Sequence, residues 1–181
     1  MGMRWAQENL PDDFIYSTVD DDFLVDIVGF QHSVETGETL MKQGYWPVFP
    51  LICGYLRSGT EKPHRHVSSK WYIPETLYRW NYWPRYCRGG LYSTSVKTVK
   101  DFLAIAYESL STMLYLDDVW ITGVLRLKFG MPESMVVAPE RPTGRHMVGF
   151  QGKNLTELIN TDWKAMVDSY QGDTLCYCNN R

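Results

Sequence analysis

The stretch Val19-Asp20-Asp21-Asp22-Phe23 places three consecutive carboxylates between two β-prone segments. A strand-like apolar run, residues 14–19, precedes the triplet, and a second apolar run begins at Phe23. Adjacent carboxylates repel one another and would not survive burial without a partner. A hard divalent ion such as Mn²⁺ or Mg²⁺ takes oxygen ligands and would neutralise them. The pattern therefore predicts a strand that ends either in a solvated acidic turn or in a metal site that carries a phosphate-bearing substrate.

Size and composition bound the class of protein. The 181 residues, of which 44% are hydrophobic and 22% charged, predict one globular domain with a sizeable core. A net charge of −3 without a basic stripe argues against a partner that is a nucleic acid polymer. No apolar run reaches the roughly 18 residues of a membrane span, and the polar N-terminus lacks the apolar core of a signal peptide. We therefore expect no targeting signal in this sequence.

The remaining pattern mixes strands and helices. The apolar run at 23–30 suits a strand or a helix, and we favour a helix that continues toward Ser33 and breaks at Thr36-Gly37. Strands are predicted at 48–56, 70–73, 91–94 and 134–138, and a loop at 139–152. Helices are predicted from an N-cap at Ser95 to about 112, at 119–129 and at 154–170. The order of elements predicts an α/β protein with a sheet flanked by helices.

A second acidic pair, Asp117-Asp118, precedes the predicted helix at 119–129. Carboxylates at a helix start favour the macrodipole, so the pair is explained by capping alone. It also suits a general base. Transfer of a sugar from a nucleotide diphosphate needs a metal that stabilises the leaving diphosphate and a base that deprotonates the acceptor hydroxyl. A metal-dependent phosphohydrolase fits less well, because only the spacing of Asp20 and Asp22 matches it.

Cysteines and a sequon give weaker signals. Cys53, Cys87, Cys176 and Cys178 permit two disulfides, but their spacing names no connectivity. Cys176 and Cys178 are too close for a simple mutual bridge. Asn154-Leu155-Thr156 is an N-glycosylation acceptor if the chain enters the secretory pathway.

Four stretches, taken in order, resemble one family. Residues 4–23 resemble a tryptophan segment, a strand and a DDD motif, and residues 70–73 resemble a KWYV motif. Residues 82–93 resemble YPPYCSGGGYVLS, and residues 116–123 resemble LEDVYVG. Together they resemble the Golgi β-1,3-galactosyltransferases and β-1,3-N-acetylglucosaminyltransferases, which are related to the fringe proteins. The likeness covers roughly residues 4–150.

The resemblance implies a fold, a reaction and a cofactor. The fold is of the GT-A type, a Rossmann-like mixed sheet flanked by helices. The reaction is an inverting β-1,3 transfer from UDP-galactose or UDP-N-acetylglucosamine to a glycan acceptor, in protein glycosylation or glycolipid synthesis. Asp20 and Asp22 match the outer pair of the metal-binding motif for Mn²⁺ or Mg²⁺, and Asp118 matches the general base. A catalytically inactive domain that binds a glycan or a partner remains the alternative.

The resemblance also implies roles for other residues, and for some of them a structural role is an equal alternative. His146 is expected as an added metal ligand, because neutral imidazole binds Mn²⁺ well. Cys87 matches a family cysteine that is often in a disulfide. Core packing is the other explanation for the aromatic members of the cleft set. The positions expected to line the cleft between donor and acceptor are Asp21, Trp71, Tyr72, Tyr86, Gly89, Gly90 and Asp117.

The resemblance also sets expectations about completeness. Members of this family begin with a cytoplasmic tail, a signal-anchor helix, a stem and a first half-domain that contacts uridine. This chain starts just before the tryptophan segment. We therefore expect 1–181 to be a single, N-terminally truncated catalytic domain that lacks the first strands of the sheet. A full-length relative would be a Golgi membrane protein with its catalytic domain in the oxidising lumen, and an anchor absent from this chain would attach it to the membrane.

Overall fold

A mixed sheet with helices on both faces forms the centre of the computed structural model, which describes residues 2–108, 113–138, 147–149 and 154–168. The strands are β1 (Ile15–Val19), β2 (Phe23–Val25), β3 (Leu51–Cys53), β4 (Leu56–Arg57), β5 (Tyr86–Cys87), β6 (Leu91–Ser95), β7 (Val136–Val137) and β8 (Met147–Gly149). The helices are α1 (Gly2–Asn9), α2 (Ile27–Lys42), α3 (Val96–Glu108), α4 (Arg126–Phe129), α5 (Leu155–Leu158) and α6 (Lys164–Asp168). A 3₁₀ turn, Glu133–Met135, precedes β7. The α/β prediction is confirmed.

The main sheet has the strand order β1-β6-β3-β7. Strand β6 pairs antiparallel with both neighbours, with Ser93 opposite Ser17 of β1 and Ile52 of β3. Strands β3 and β7 are parallel. Two smaller antiparallel sheets, β2–β8 and β4–β5, lie outside this order. Strand β6 is buried along its whole length, which makes it the central strand to which the site segments attach.

Alternation along β6 divides the core into two layers. Tyr92 lies in the larger cluster, which includes Phe102 of α3 and the helical segment after Asp118. Leu91 faces the opposite way and joins Ile52 and Phe30 of α2. Because successive side chains of a strand point to opposite faces, this one strand contributes to both apolar layers.

Local signals predict the ends of two helices correctly. The Ser95 hydroxyl accepts from the backbone N–H of Thr98 at 3.2 Å, as expected of an N-cap, and α3 follows. The helix after Asp118 stops at Gly130, whose φ of 82° is the left-handed conformation of a C-terminal glycine. Its first part, Val119–Leu125, is a π-helix rather than an α-helix, which the sequence pattern did not predict.

The predicted break at Thr36-Gly37 is wrong, because α2 continues through it to Lys42. A Cβ on Gly37 would stand 2.8 Å from Cγ of Pro50, so the glycine lets the helix approach the chain before β3 closely. The helix begins later than predicted. Residues 23–25 form β2 first, and Asp26 then caps α2 by accepting from the N–H of Gly29 at 3.0 Å.

Three further predictions need correction. Residues 70–73 form no strand; they lie in turns, and the only ladder contact there is an isolated bridge between His64 and Tyr72. The predicted loop at 139–152 contains β8, which pairs with β2 far away in sequence. The strand predicted at 48–56 shortens to β3 and resumes as β4.

In the C-terminal region, a second π-helical turn, Ile159–Trp163, joins α5 to α6, so the predicted helix is confirmed over the described residues. No helix within the described ranges has the length and apolar character needed to cross a membrane.

Candidate functional site

The acidic triplet lies where β1 leaves the sheet. Val19 is the last residue of β1 and pairs with Leu91. The next amide, that of Asp20, donates to the carbonyl of Gly90 at 3.0 Å. The side chains of Asp20, Asp21 and Asp22 are exposed. The triplet is therefore held by its backbone beside the turn that precedes β6, with its carboxylates in solvent.

Gly89, the neighbour of Gly90, holds the second acidic segment. Its N–H donates to Oδ2 of Asp118 at 2.9 Å, and the N–H of Val119 donates to Oδ1 at 2.7 Å. A Cβ on Gly89 would stand 3.4 Å from Oδ2 of Asp118. Two consecutive glycines thus connect the two predicted parts of the site, one through Asp20 and the other through Asp118.

The electrostatics agree with this proximity. Although Asp20 is exposed, its carboxylate loses part of its hydration, and this partial desolvation, followed by the carboxylates of Asp22, Asp117 and Asp21, raises the pKa of Asp20 above its ordinary value. Burial also raises the pKa of Asp118, and Asp117 adds to the effect. The N–H groups of Gly89 and Val119 act against both contributions by stabilising the charged form. Among the described residues no cation forms an ion pair with the triplet, so a bound cation would relieve this excess negative charge.

The donor set suits a metal that is shared with a substrate. Within the described ranges, no three His, Cys, Asp or Glu side chains group closely enough to hold a metal by themselves. Mg²⁺ and similar ions at phosphate sites use one or two protein carboxylates and take other ligands from phosphates and water. The carboxylates of Asp20 and Asp22 fit that smaller role. His146, the predicted additional ligand, lies outside the described residues.

Two tyrosines lie under the acidic cluster and were missed by the sequence analysis. Tyr16 of β1 and Tyr92 of β6 have raised hydroxyl pKa values, chiefly through burial, and Asp117 contributes to both. The register pairs Thr18 with Tyr92, and the Thr18 side chain lowers the Tyr92 pKa slightly against the effect of burial. Because residues 16 and 18 face the same side of β1, strand alternation was the signal that could have found this pair.

Thr122 is a third residue that the sequence analysis missed. Its buried hydroxyl accepts from the N–H of Cys87 at 2.9 Å and donates to the carbonyl of Asp118 at 2.5 Å. Cys87 forms a disulfide with Cys53, which links β5 to β3. The turn that carries Asp118 is therefore fastened to the disulfide through one threonine. Cys176 and Cys178 lie outside the described residues.

The predicted aromatic cleft residues have different surroundings. Trp71 is 45% exposed, with the Lys70 ammonium 4.4 Å from its ring centroid, so its ring is available to a ligand. Tyr86 is buried, and its hydroxyl donates to Glu61 Oε2 at 2.6 Å, which favours the core-packing alternative. Tyr72 is half-buried.

Tyr115 fastens the loop around Trp71 to the segment that leads into Asp117. Its hydroxyl lies 2.7 Å from the carbonyl of Tyr72 and 3.2 Å from that of Lys70. The two stretches are far apart in the sequence, so no local pattern indicates this contact. The loop that carries Trp71 is thereby fastened to a residue two positions before Asp117.

The predicted glycosylation residue, Asn154, is exposed. Its Oδ1 accepts from the N–H of Glu157 at 2.9 Å and caps α5. The side-chain nitrogen, to which a glycan would be attached, takes no part in this cap. The sequon is therefore compatible with modification, and modification itself stays a prediction.

Comparison with known proteins gives consistent results. The profile of the galactosyltransferase family matches residues 1–136. A beta-1,3-galactosyltransferase, brn, from Drosophila melanogaster is 29% identical over 131 residues, which are 72% of this chain and 37% of that protein. Lactosylceramide 1,3-N-acetyl-beta-D-glucosaminyltransferase A from Danio rerio is 26% identical over 172 residues, covering 94% and 40%. The human lactosylceramide 1,3-N-acetyl-beta-D-glucosaminyltransferase is 29% identical over 134 residues, covering 72% and 32%. The chain thus spans about a third to two fifths of the length of these curated relatives.

Proposed function

This chain belongs to the galactosyltransferase family, and from that membership we propose that it carries the metal and base residues of a β-1,3-glycosyltransferase. The proposed reaction moves galactose or N-acetylglucosamine from a UDP-sugar to a hydroxyl of a glycan acceptor. The names of the relatives support these two sugars and this linkage. The mixed sheet with flanking helices is compatible with a fold of the GT-A type, which we propose as well.

One observation carries the proposal. The Gly89-Gly90 turn binds the Asp118 side chain through one residue and the Asp20 backbone through the other. A carboxylate suited to take a proton and a carboxylate cluster suited to a metal are therefore attached to the same turn. Separate caps and turns would give no reason for this junction.

Asp118 is the proposed general base. The two backbone N–H donors orient its carboxylate, and each oxygen keeps a lone pair for a further contact. Burial raises its pKa, which makes it a better proton acceptor than an exposed aspartate. In the proposed step, the acceptor hydroxyl loses its proton to Asp118 while its oxygen forms a bond to the anomeric carbon. The bond from that carbon to UDP breaks on the opposite side, so the configuration inverts.

Asp20 and Asp22 are the proposed protein ligands for Mn²⁺ or Mg²⁺, with Asp21 and Asp117 as their acidic neighbours. An ion bound there would offset the charge of the leaving diphosphate. His146 stays a predicted additional ligand. Trp71, by its exposure, is the aromatic residue of the cleft set that best suits stacking on a sugar ring.

Binding of UDP tests the proposed site. UDP should bind to the chain by calorimetry when Mn²⁺ is present, and chelation should abolish the binding. Asp22→Ala should abolish it too, whereas Asp13→Ala, which removes an exposed carboxylate just before β1, should leave it unchanged. Binding of UDP without a metal ion, or with equal affinity in Asp22→Ala, would contradict the assignment of the site.

Turnover tests the activity separately. Release of UDP from UDP-galactose or UDP-N-acetylglucosamine should depend on an added β-galactoside or lactosylceramide acceptor. A folded chain that binds acceptors but releases no UDP from either donor would instead support the glycan-binding alternative.

We also propose that the chain functions in the Golgi lumen. The disulfide between Cys53 and Cys87 supports an oxidising compartment, and the exposed Asn154 is available there. Expression of this chain behind a cleavable secretory signal peptide in animal cells should give a glycan at Asn154 that a peptide N-glycosidase removes, and Asn154→Gln should lack it. Retention of the glycan signal in Asn154→Gln would contradict the assignment.

A further inference from the structure

A fully buried arginine, Arg126, directly follows the π-helix Val119–Leu125. Its guanidinium donates from Nε to the carbonyl of Thr122 at 3.1 Å, from Nη1 to that of Met131 at 2.7 Å and from Nη2 to that of Arg85 at 3.3 Å. Arginine keeps its proton in proteins, so a full positive charge is buried here. Because all three acceptors are backbone carbonyls, the guanidinium fixes the course of the main chain rather than the position of another side chain.

The bond from Arg126 to Thr122 takes the place of a backbone bond. In an α-helix each N–H donates to the carbonyl four residues earlier, which for Arg126 is that of Thr122. The wider turn of the π-helix directs the backbone N–H of Arg126 to the carbonyls of Ile121 and Gly123 instead. The Arg126 side chain then donates to the Thr122 carbonyl. The π-helical turn therefore depends on this side chain for the hydrogen bonding of one of its carbonyls.

The bond from Arg126 to Arg85 joins the π-helix to the residue that precedes β5. The two segments are in close contact, since a Cβ on Gly123 would stand 3.0 Å from Cγ of Pro84 and 3.3 Å from Cβ of Tyr86. Close-packed interiors transmit small displacements, because they leave little room for a neighbour to relax. The guanidinium thus bridges two segments whose separation has little slack.

The same two segments meet again at Asp118. The Thr122 hydroxyl accepts from the N–H of Cys87 and donates to the carbonyl of Asp118. Two residues beyond Cys87, the N–H of Gly89 donates to the Asp118 carboxylate. Both contacts require the π-helix and the stretch from Arg85 to Gly89 to keep a fixed relative position. Loss of the guanidinium, which is bonded to both, should therefore lengthen the bond between Gly89 and Asp118.

We propose that Arg126 is a positioning residue, which holds the Asp118 carboxylate against Gly89 by fixing the π-helix to the segment before β5. Arg126 acts through the helix and is not a catalytic residue itself. Packing alone does not call for a buried charge, since an apolar side chain of similar size fills such a space without the cost of desolvation. The effect of Arg126 on catalysis rests on the proposed function, whereas its effect on the contact between Gly89 and Asp118 does not.

The amide resonance of Gly89 in the full chain tests the proposal without an activity assay. Its proton chemical shift depends on the bond to the carboxylate, and Asp118→Ala gives the value that the resonance takes without this acceptor. Arg126→Met removes the three donors and keeps a side chain of comparable length. We expect Arg126→Met to move the Gly89 resonance toward its position in Asp118→Ala.

Leu158→Ala is the matched control for a general loss of stability. Leu158 is fully buried in a separate cluster with Val148 and Met166, so its truncation destabilises the chain by leaving a cavity. It should leave the Gly89 resonance in place. Should Arg126→Met fail to fold, Arg126→Lys, whose single ammonium cannot reproduce the fork geometry, and Gly123→Ala, which adds a methyl group against Pro84, decide by the same resonance.

Turnover supplies the second measurement. Arg126→Met should lower kcat by about tenfold or more through misplacement of the base, with little change in the KM of the donor. Combining it with Thr122→Val should lower kcat by less than the product of the two single effects, because both act through one contact. The proposal is overturned if the Gly89 resonance of the folded Arg126 variants stays in place, if Leu158→Ala moves it equally, or if kcat is unchanged. Absence of turnover in the unmodified chain would contradict the proposed function instead, and the resonance would still decide the role of Arg126.

Discussion

The N–H of Gly89 donates to Oδ2 of Asp118 at 2.9 Å, and this bond joins the turn before β6 to the start of the π-helix. Asp20 is bonded to the next residue of the same turn. A capping aspartate needs only the N–H groups of its own helix. Asp118 accepts one of these, from Val119, and one from the turn, so its carboxylate is oriented by both sides of the proposed site.

Removing the charge of Asp118 tests its role. Asp118→Asn should lower kcat by about 100-fold or more, because an amide cannot take the acceptor proton. The variant keeps one oxygen for a backbone N–H, so the free energy of unfolding should fall by only about 1–2 kcal/mol. Asp117→Asn, at the exposed neighbouring position, is the matched control. Equal loss of kcat in both variants, measured by UDP release, would contradict the assignment of the base.

The raised pKa of Asp118 determines how stability and activity should change with pH. Between the ordinary value of 3.8 and the higher native value, the native state holds more protons than the unfolded state. The free energy of unfolding therefore falls as pH rises through this window. Activity should rise through the same window, because the base must lose its proton. Urea unfolding across acidic pH should show a shallower fall in Asp118→Asn, and the remaining slope should come partly from Asp20, whose pKa is also raised. An activity profile that is flat through this window would exclude Asp118 as the base.

Sequence signals predicted elements whose causes are local. Ser95 and Gly130 mark helix ends because a cap involves residues within one turn. The interior of α2 was mispredicted at Gly37, because the reason for that glycine is contact with Pro50 across the fold. Strand β8 was missed for the same reason, since its partner β2 lies at the other end of the chain.

The same distinction between local signals and long-range contacts applies to the residues of the candidate site. Asp20, Asp22 and Asp118 were predicted as site residues because motifs record them as short runs of residue types, and their roles stay predictions. Thr122 was not found, because its role depends on the N–H of Cys87 in a distant strand. Tyr86 belonged to a motif and yet is bonded to Glu61 within the core. A motif therefore identifies positions, whereas the contacts decide which of them face a ligand.

The two glycines of the turn should differ in their tolerance of a side chain. Gly90 has a φ of 117°, and a Cβ there would stand 2.9 Å from Sδ of Met147 and from the Phe23 ring. Gly90→Ala should therefore lower the free energy of unfolding by about 2–4 kcal/mol through backbone strain and overpacking. Gly89 meets nothing nearer than 3.4 Å, so Gly89→Ala should cost less than about 1 kcal/mol. Urea denaturation measures both, and an equal loss would contradict the geometry of this turn.

The disulfide should contribute strongly to stability. Cys53 and Cys87 are 34 positions apart, and closing a loop of this size stabilises the native state by about 4 kcal/mol in the chain-entropy model. Reduction with dithiothreitol should lower the midpoint of urea unfolding accordingly. Cys53→Ala with Cys87→Ala should have a low midpoint already and should not respond to the reductant. If the midpoint of urea unfolding of the original chain did not change after verified reduction, the disulfide would contribute nothing to stability.

Two substitutions of Thr122 distinguish the effect of its hydrogen bonds on the proposed base, Asp118, from the effect of its packing. Thr122→Val keeps the shape but loses the hydroxyl, so the buried N–H of Cys87 loses its acceptor and the free energy of unfolding should fall by about 1–3 kcal/mol. Thr122→Ser keeps the hydroxyl and loses one methyl group, which costs about 1 kcal/mol. If the hydroxyl positions Asp118 through its bond to the Asp118 carbonyl, Thr122→Val should lower kcat and shift the pH profile, and Thr122→Ser should restore both. Serine and valine variants with equal kcat and equal profiles would show that Thr122 contributes packing alone, since only the hydroxyl distinguishes their contacts with Asp118.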